Sequence, residues 1–144
     1  MIIWLTGNSG SGKTTLAAEI APKINAIILD GDQMRHTISI GLGFSKEDRE
    51  EHNLRIARLA NALDQQLLNV VVSVIAPFPD AREKITEIIP NVKWIYVMRN
   101  VPANPDRPYI PPVGVYTVNM DNQTPQEAAN KLYQYVTGLL KRAK

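Results

Sequence analysis

Ile2-Ile3-Trp4-Leu5-Thr6-Gly7-Asn8-Ser9-Gly10-Ser11-Gly12-Lys13-Thr14-Thr15 decides the fold: an apolar run, a glycine-rich turn and a helix-forming segment follow one another without a break. Residues Gly7 to Thr14 match the phosphate-binding pattern of glycine, any four residues, then Gly-Lys-Ser/Thr. Glycines at 7, 10 and 12 let the backbone wrap an anion, so that successive N–H groups and the first helical turn all point at phosphate oxygens. Lys13 is placed to reach the β- and γ-phosphates, and the Thr14 hydroxyl to hold Mg²⁺. The strand before and the helix after distinguish this stretch from an ordinary Gly/Ser-rich turn. The expected nucleotide contacts are Gly7, Ser9, Gly10, Ser11, Gly12, Lys13, Thr14 and Thr15.

Outward from this loop, short apolar runs alternate with helical patterns, the signature of a parallel sheet with crossover helices. The strands fall at Ile2 to Leu5, Ala26 to Leu29, Val70 to Ile75, Trp94 to Met98 and Val115 to Val118. Helices are expected at about Lys13 to Ala21, Gln33 to Ile38, Lys46 to Leu68, Asp80 to Ile88 and Pro125 to Lys141. Ser45 with Asp48, and Thr124 with Pro125 and Glu127, read as capping boxes. The fold class is therefore α/β: a five-stranded parallel sheet with helices on both faces.

A chain of 144 residues, 44% of them hydrophobic, is read as one domain with one good core. Sixteen basic against fourteen acidic residues leave +2, too little to indicate a polyanionic partner. With no cysteine, disulfides, thiolate catalysis and cysteine-based zinc sites are all excluded. His36 and His52 have no companion at metal-ligand spacing. No apolar run is long enough to span a membrane, and a cytoplasmic location is expected.

The segment Leu29-Asp30-Gly31-Asp32-Gln33-Met34-Arg35 puts two carboxylates and an arginine past the carboxyl end of the second strand, the edge where ligands sit in open parallel sheets. A kinase needs a carboxylate to fix Mg²⁺ or to take the acceptor hydroxyl's proton. Asp32 is the candidate for that role, and Asp30 for orienting Arg35 or the acceptor. Equally, Asp32 can simply cap a helix that starts at Gln33. The strand Val70 to Ile75 ends without the aspartate that usually holds Mg²⁺ in ATPases and switches, and no base-reading Asn/Thr-Lys-x-Asp occurs, which disfavours a GTPase switch.

Further along, Gly41-Leu42-Gly43-Phe44-Ser45 leads into the longest helix, whose apolar stripe is Ile56, Leu59, Ala60, Leu63 and Leu67. Extended backwards, the stripe passes through His52 or Asn53 and then Arg49, so these polar groups face a cleft. Arg49 there calls for an anion, or else it snorkels to solvent or pairs with Asp48 or Glu51. Phe44 either stacks on a base or plugs the loop.

The phosphate loop, Leu29-Asp30-Gly31-Asp32 with Arg35, Leu42-Gly43-Phe44-Ser45 with Asp48-Arg49, and Val72-Ser73-Val74-Ile75-Ala76-Pro77-Phe78 with Arg82 stand in the order and spacing of the adenylylsulfate (APS) kinase family. The chain resembles that family over roughly residues 1 to 90, and beyond them chiefly at Pro108-Tyr109 and the final helix. The resemblance implies a nucleoside-monophosphate-kinase-like sheet and transfer of the γ-phosphate of ATP to the ribose 3′-hydroxyl of adenylylsulfate, giving PAPS. It also implies Mg²⁺ with Asp32 as the metal-associated catalytic carboxylate beside Lys13 and Asp30. The acceptor's phosphosulfate falls to Arg35 and Arg49, its adenine to Phe44, and further contacts to Asp30, His52, Asn53 and Ile75. A homodimer is common in the family.

Departures are specific. His52 stands at the family's asparagine, with Asn53 displaced by one, Ala76 replaces a serine, and Pro79 an arginine. The family's Arg-Asp-x-Lys-Gly-Leu-Tyr lid is missing. In its place, between Arg99 and Val113, lies a connection containing Pro102, Pro105, Pro108, Pro111 and Pro112, which cannot fold as a helix. Arg99 or Arg107 is then expected to reach the phosphates from a static loop. A more open site also admits other acceptors, such as another nucleotide conjugate or a hydroxylated base in DNA, and the remaining alternative is a triphosphate binder that transfers nothing.

Overall fold

The computed structural model describes residues 1–102 and 104–143, with side chains described up to residue 139. Five parallel strands, β1 (Ile2–Thr6), β2 (Ala26–Asp30), β3 (Asn69–Ser73), β4 (Lys93–Met98) and β5 (Tyr116–Asn119), form one sheet in the order β2-β3-β1-β4-β5. All five expected strands are present, each shifted by no more than two residues at either end. The helices are α1 (Lys13–Ile20), α2 (Gly31–Arg35), α3 (Lys46–Gln65), α4 (Pro79–Ile88) and α5 (Pro125–Ala143), with a 3₁₀ turn at Ala21–Ile24.

Alternation along the strands divides the core. Ile3 and Leu5 of β1 join Val71, Ile95, Val97 and Val118 under Leu16 and Ile20 of α1 and Leu132 and Val136 of α5. The opposite residues, Ile2 and Trp4, join Val70 and Val72 under Ile56 and Ala60 of α3 and Ile85 of α4. Strands apolar on both faces are what a sheet covered on both sides requires. Trp4 is fully buried, lies 5.3 Å from Trp94 between ring centroids, and donates its indole N–H to the Val74 carbonyl at 3.1 Å.

Helix ends depart from the sequence reading for local reasons. Helix α2 starts at Gly31 rather than Gln33 because Asp30, not Asp32, is its cap: the Asp30 carboxylate accepts from the Gln33 amide at 3.3 Å. Helix α3 stops at Gln65, short of Leu68. Leu67 adopts a left-handed conformation, φ 65°, and is 93% exposed, so it falls out of the expected stripe. Ala57 takes a buried place beside Ile56 and Ala60 instead. At Ser45 the hydroxyl accepts from the Asp48 amide, yet Asp48's carboxylate turns to the Gly43 amide at 2.7 Å, which leaves half a capping box. The box at Thr124 and Glu127 is complete in both directions.

Strands β1 and β3 are neighbours, but β1 leads to α1 on one face and β3 to α4 on the other. A crevice opens at the carboxyl ends of adjacent strands whose connections diverge in this way. The phosphate loop and the Asp30–Asp32 segment both border it.

Candidate active site

The loop between β1 and α1 is shaped by close approach. A side chain on Gly7 would put its Cβ 2.3 Å from the Val97 carbonyl oxygen and 2.8 Å from Ser11 Oγ, which real Cβ atoms do not tolerate. Gly12, the N-cap of α1, has φ 98°, a left-handed conformation that favours glycine. Ser11 Oγ is buried without a hydrogen-bond partner among the described residues, an orphan donor inside the loop. Lys13 is nearly buried and folds back to donate to the Gly7 and Asn8 carbonyls at 2.9 and 2.8 Å. Burial pushes its ammonium down to about 8, against the opposing pull of Asp30 and then Asp32.

This loop opens into a cavity of about 250 Å³ that collects most of the expected site residues. Ser9, Gly10, Lys13 and Thr14 form one wall, Asp30 and Asp32 the next, Arg35, Phe44, Arg49, His52 and Asn53 the far side, and Ile75 with Arg107 the rim. Thr15 and Arg99 border a second recess with Gly12, Lys13 and Thr14 instead. Gly7 and Ser11 support the loop without lining either space.

The two carboxylates differ in how they are engaged. Asp30 accepts from Thr14 Oγ1 at 3.2 Å while capping α2. Asp32 sits in the first turn of α2 and its carboxylate makes no hydrogen bond or ion pair among the described residues. A threonine hydroxyl beside a carboxylate is a hard-oxygen donor set of the kind Mg²⁺ takes. With the buried ammonium of Lys13 beside this pair, the residues present fit a magnesium-bound triphosphate.

Across the cavity the Arg35 guanidinium lies 4.5 Å over the Phe44 ring and donates to the Gly43 carbonyl at 3.0 Å; Arg49 lies 6.0 Å from the same ring. Asp30 therefore does not orient Arg35; the Gly43 carbonyl does. Desolvation and then the neighbouring Arg49 lower the Arg35 pKa, against the opposing pull of Asp32 and Asp48. Arg49 pairs with neither Asp48 nor Glu51: Glu51 holds Arg55 and Arg58. Phe44 is 65% exposed, so it presents its ring to the cavity mouth instead of plugging the loop. His52 is buried, its Nδ1 2.7 Å from Ser39 Oγ, and burial followed by Arg35 lowers its pKa. Asn53 is buried beside it.

The sequence marked Arg82 only as part of the family pattern and did not show the cluster that it organises. Arg82, 7% exposed, donates from Nη1 to the Ala76 carbonyl and from Nη2 to the Ile110 carbonyl, both at 2.8 Å. Ala76 is itself held at φ 45°. The Arg82 guanidinium also lies 5.8 Å from the Tyr109 ring, whose hydroxyl is 2.8 Å from Thr6 Oγ1. Between β4 and β5 the described residues contain no helix, as the prolines require. Among the described residues no group of three or more His, Asp or Glu side chains forms a metal centre, and no helix is long and apolar enough to cross a membrane.

The chain matches the family described as adenylylsulphate kinase over residues 1–119. An adenylyl-sulfate kinase of Rippkaea orientalis is 41% identical over 107 residues, covering 71% of this chain and 58% of that one. A probable adenylyl-sulfate kinase of Pyrococcus abyssi is 43% identical over 100 residues, covering 66% and 58%. The chain thus matches less than two thirds of the length of these relatives. The Mycobacterium tuberculosis APS kinase CysC, solved in complex with AMPPNP and APS, has the same fold, with a TM-score of 0.88 over 94% of this chain and 96% of that one at 24% identity.

Proposed function

Because the chain belongs to the adenylylsulphate kinase family, we propose that it transfers the γ-phosphate of ATP to the 3′-hydroxyl of adenylylsulfate. The observation that carries this reading is a single cavity that joins the phosphate loop, two carboxylates, and an arginine-flanked exposed aromatic ring. The loop amides and Lys13 receive the triphosphate, and Phe44 with Arg35 and Arg49 receives the adenine and phosphosulfate of the acceptor. This arrangement sets the acceptor hydroxyl against the γ-phosphorus, where positioning supplies much of the rate.

Thr14 and Asp30 are the residues that would hold Mg²⁺, which when bound neutralises charge on the β- and γ-oxygens. Asp32, unengaged and within the field of Lys13, Arg35 and His52, takes the acceptor's proton. The acceptor oxygen forms a bond to the γ-phosphorus as the bond to the bridging oxygen breaks, and ADP leaves with that electron pair. Splitting the carboxylates in this way moves the metal role from Asp32 to Asp30, on the strength of the Thr14 contact.

Consumption of ATP measured with no acceptor, with adenylylsulfate, with a nucleotide-diphosphate conjugate and with hydroxymethylated DNA tests the reading. Turnover that depends on adenylylsulfate is the expected result. Acceptor-independent hydrolysis alone, or turnover with only another acceptor, overturns it.

A further inference from the structure

The connection between β4 and β5 departs furthest from the family pattern, yet its centre is bound tightly to the site. Thr6 Oγ1 donates to the Ile75 carbonyl and so accepts from the Tyr109 hydroxyl at 2.8 Å. The Tyr109 ring stacks on Tyr96 with centroids 5.9 Å apart. The Ile110 amide donates to the Pro77 carbonyl at 2.9 Å, and Arg82 holds the Ile110 carbonyl from the other side. Residues 108–110 are therefore a strap fastened to the end of β1, to β4 and to the connection leading into α4.

Arg107 lies at the edge of this strap. Pro108 after it restricts its backbone to extended conformations, and Tyr109 is anchored one residue further on. Arg107 Nη1 is 3.4 Å from Ser9 Oγ, and the side chain borders the same cavity as Lys13, Asp32 and Arg35. Arg99, in contrast, donates to the Gly10 carbonyl at 3.5 Å and borders the other recess. The two arginines approach the phosphate loop from different sides, and Arg107 alone faces the acceptor side.

We propose that Arg107 contacts the phosphoryl group in transfer, and that Tyr109 is its positioning residue, so that a fixed strap delivers the cation a closing lid would otherwise bring. The inference rests on the phosphotransferase reading above. Charge gathers on the equatorial oxygens of the group in flight, so a guanidinium held in place acts there more than on the ground state. A strap that needs no closing movement also leaves product release free of a reopening step.

Binding of ADP and of ADP–aluminium fluoride, which imitates a planar phosphoryl group, tests this without an acceptor. For Arg107→Ala, ADP affinity stays within about twofold while ADP–aluminium fluoride binding weakens by about tenfold or more. Tyr109→Phe, which keeps the ring and loses only the bond to Thr6, weakens it by about threefold, and the double variant matches Arg107→Ala. In turnover, both substitutions lower kcat and leave KM for ATP unchanged. Thr6→Val removes the same bond from its other end, together with the donor to the Ile75 carbonyl, and stands in if Tyr109→Phe fails to fold. Undiminished ADP–aluminium fluoride binding by Arg107→Ala, or losses that add in the double variant, overturns the proposal. A wild-type chain that ignores adenylylsulfate counts against the acceptor reading only.

Discussion

Raising the pH through the titration of Lys13 should weaken nucleotide binding while it stabilises the empty fold. Burial holds the Lys13 pKa at about 8 in the free protein, below its ordinary 10.5. The unfolded chain keeps a proton that the folded one has released between those two values, so stability contributed by this group rises with pH across that window. Binding runs the other way, because a triphosphate needs the ammonium. About nine in ten molecules carry it at about pH 7 and about one in ten at about pH 9, so the apparent Kd rises about tenfold, or about 1.4 kcal/mol. Calorimetric titration of AMPPNP at a series of pH values reads the effect. Lys13→Met, which has no charge to lose, should bind weakly and with a flat profile. A flat profile in the wild type, or the same slope in Lys13→Met, refutes the reasoning.

Gly7→Ala should lower the thermal midpoint and abolish AMPPNP binding, since its Cβ would sit 2.3 Å from the Val97 carbonyl; about 2 kcal/mol or more of unfolding free energy is expected to go. Arg82→Met leaves the Ala76 and Ile110 carbonyls without their buried donor, at a cost of about 3 kcal/mol in denaturant unfolding. Phe44→Ala should raise KM for adenylylsulfate by about tenfold and leave KM for ATP unchanged, if the exposed ring receives the acceptor's adenine as proposed. Asp32→Asn should lower kcat by about a hundredfold or more, whereas Asp30→Asn should chiefly raise the Mg²⁺ concentration needed for activity.

Elements whose information is local were legible from the sequence. Val70-Val71-Val72 and Ile95-Tyr96-Val97 announce buried strands by composition, and the phosphate loop announces its turn by glycine spacing. The inward face of α3 was legible in part: His52 and Asn53 lie on the buried side, as the stripe required, and Leu67 does not. Its left-handed backbone ends the helix, and apolar periodicity carries no trace of that. Asp30 and Asp32 could both have capped α2, and only the backbone course decides that Asp30 does. The strap was illegible for a different reason. Thr6 and Tyr109 are 103 residues apart, and Arg82 meets Ile110 across 28, so no local period records these bonds. Pro108-Tyr109, where the family resemblance persists, was the available hint, because a buried phenol needs both a ring to pack on and a partner for its hydroxyl.

The proposed reaction brings a γ-phosphate to a ribose hydroxyl inside this cavity. Phosphorus NMR of the protein with ATP, Mg²⁺ and adenylylsulfate reads this directly. A new monoester resonance coupled to the ribose 3′-proton, growing as the γ-signal of ATP declines, is the predicted result. Free phosphate as the one new signal besides those of ADP, with adenylylsulfate unchanged, would contradict this.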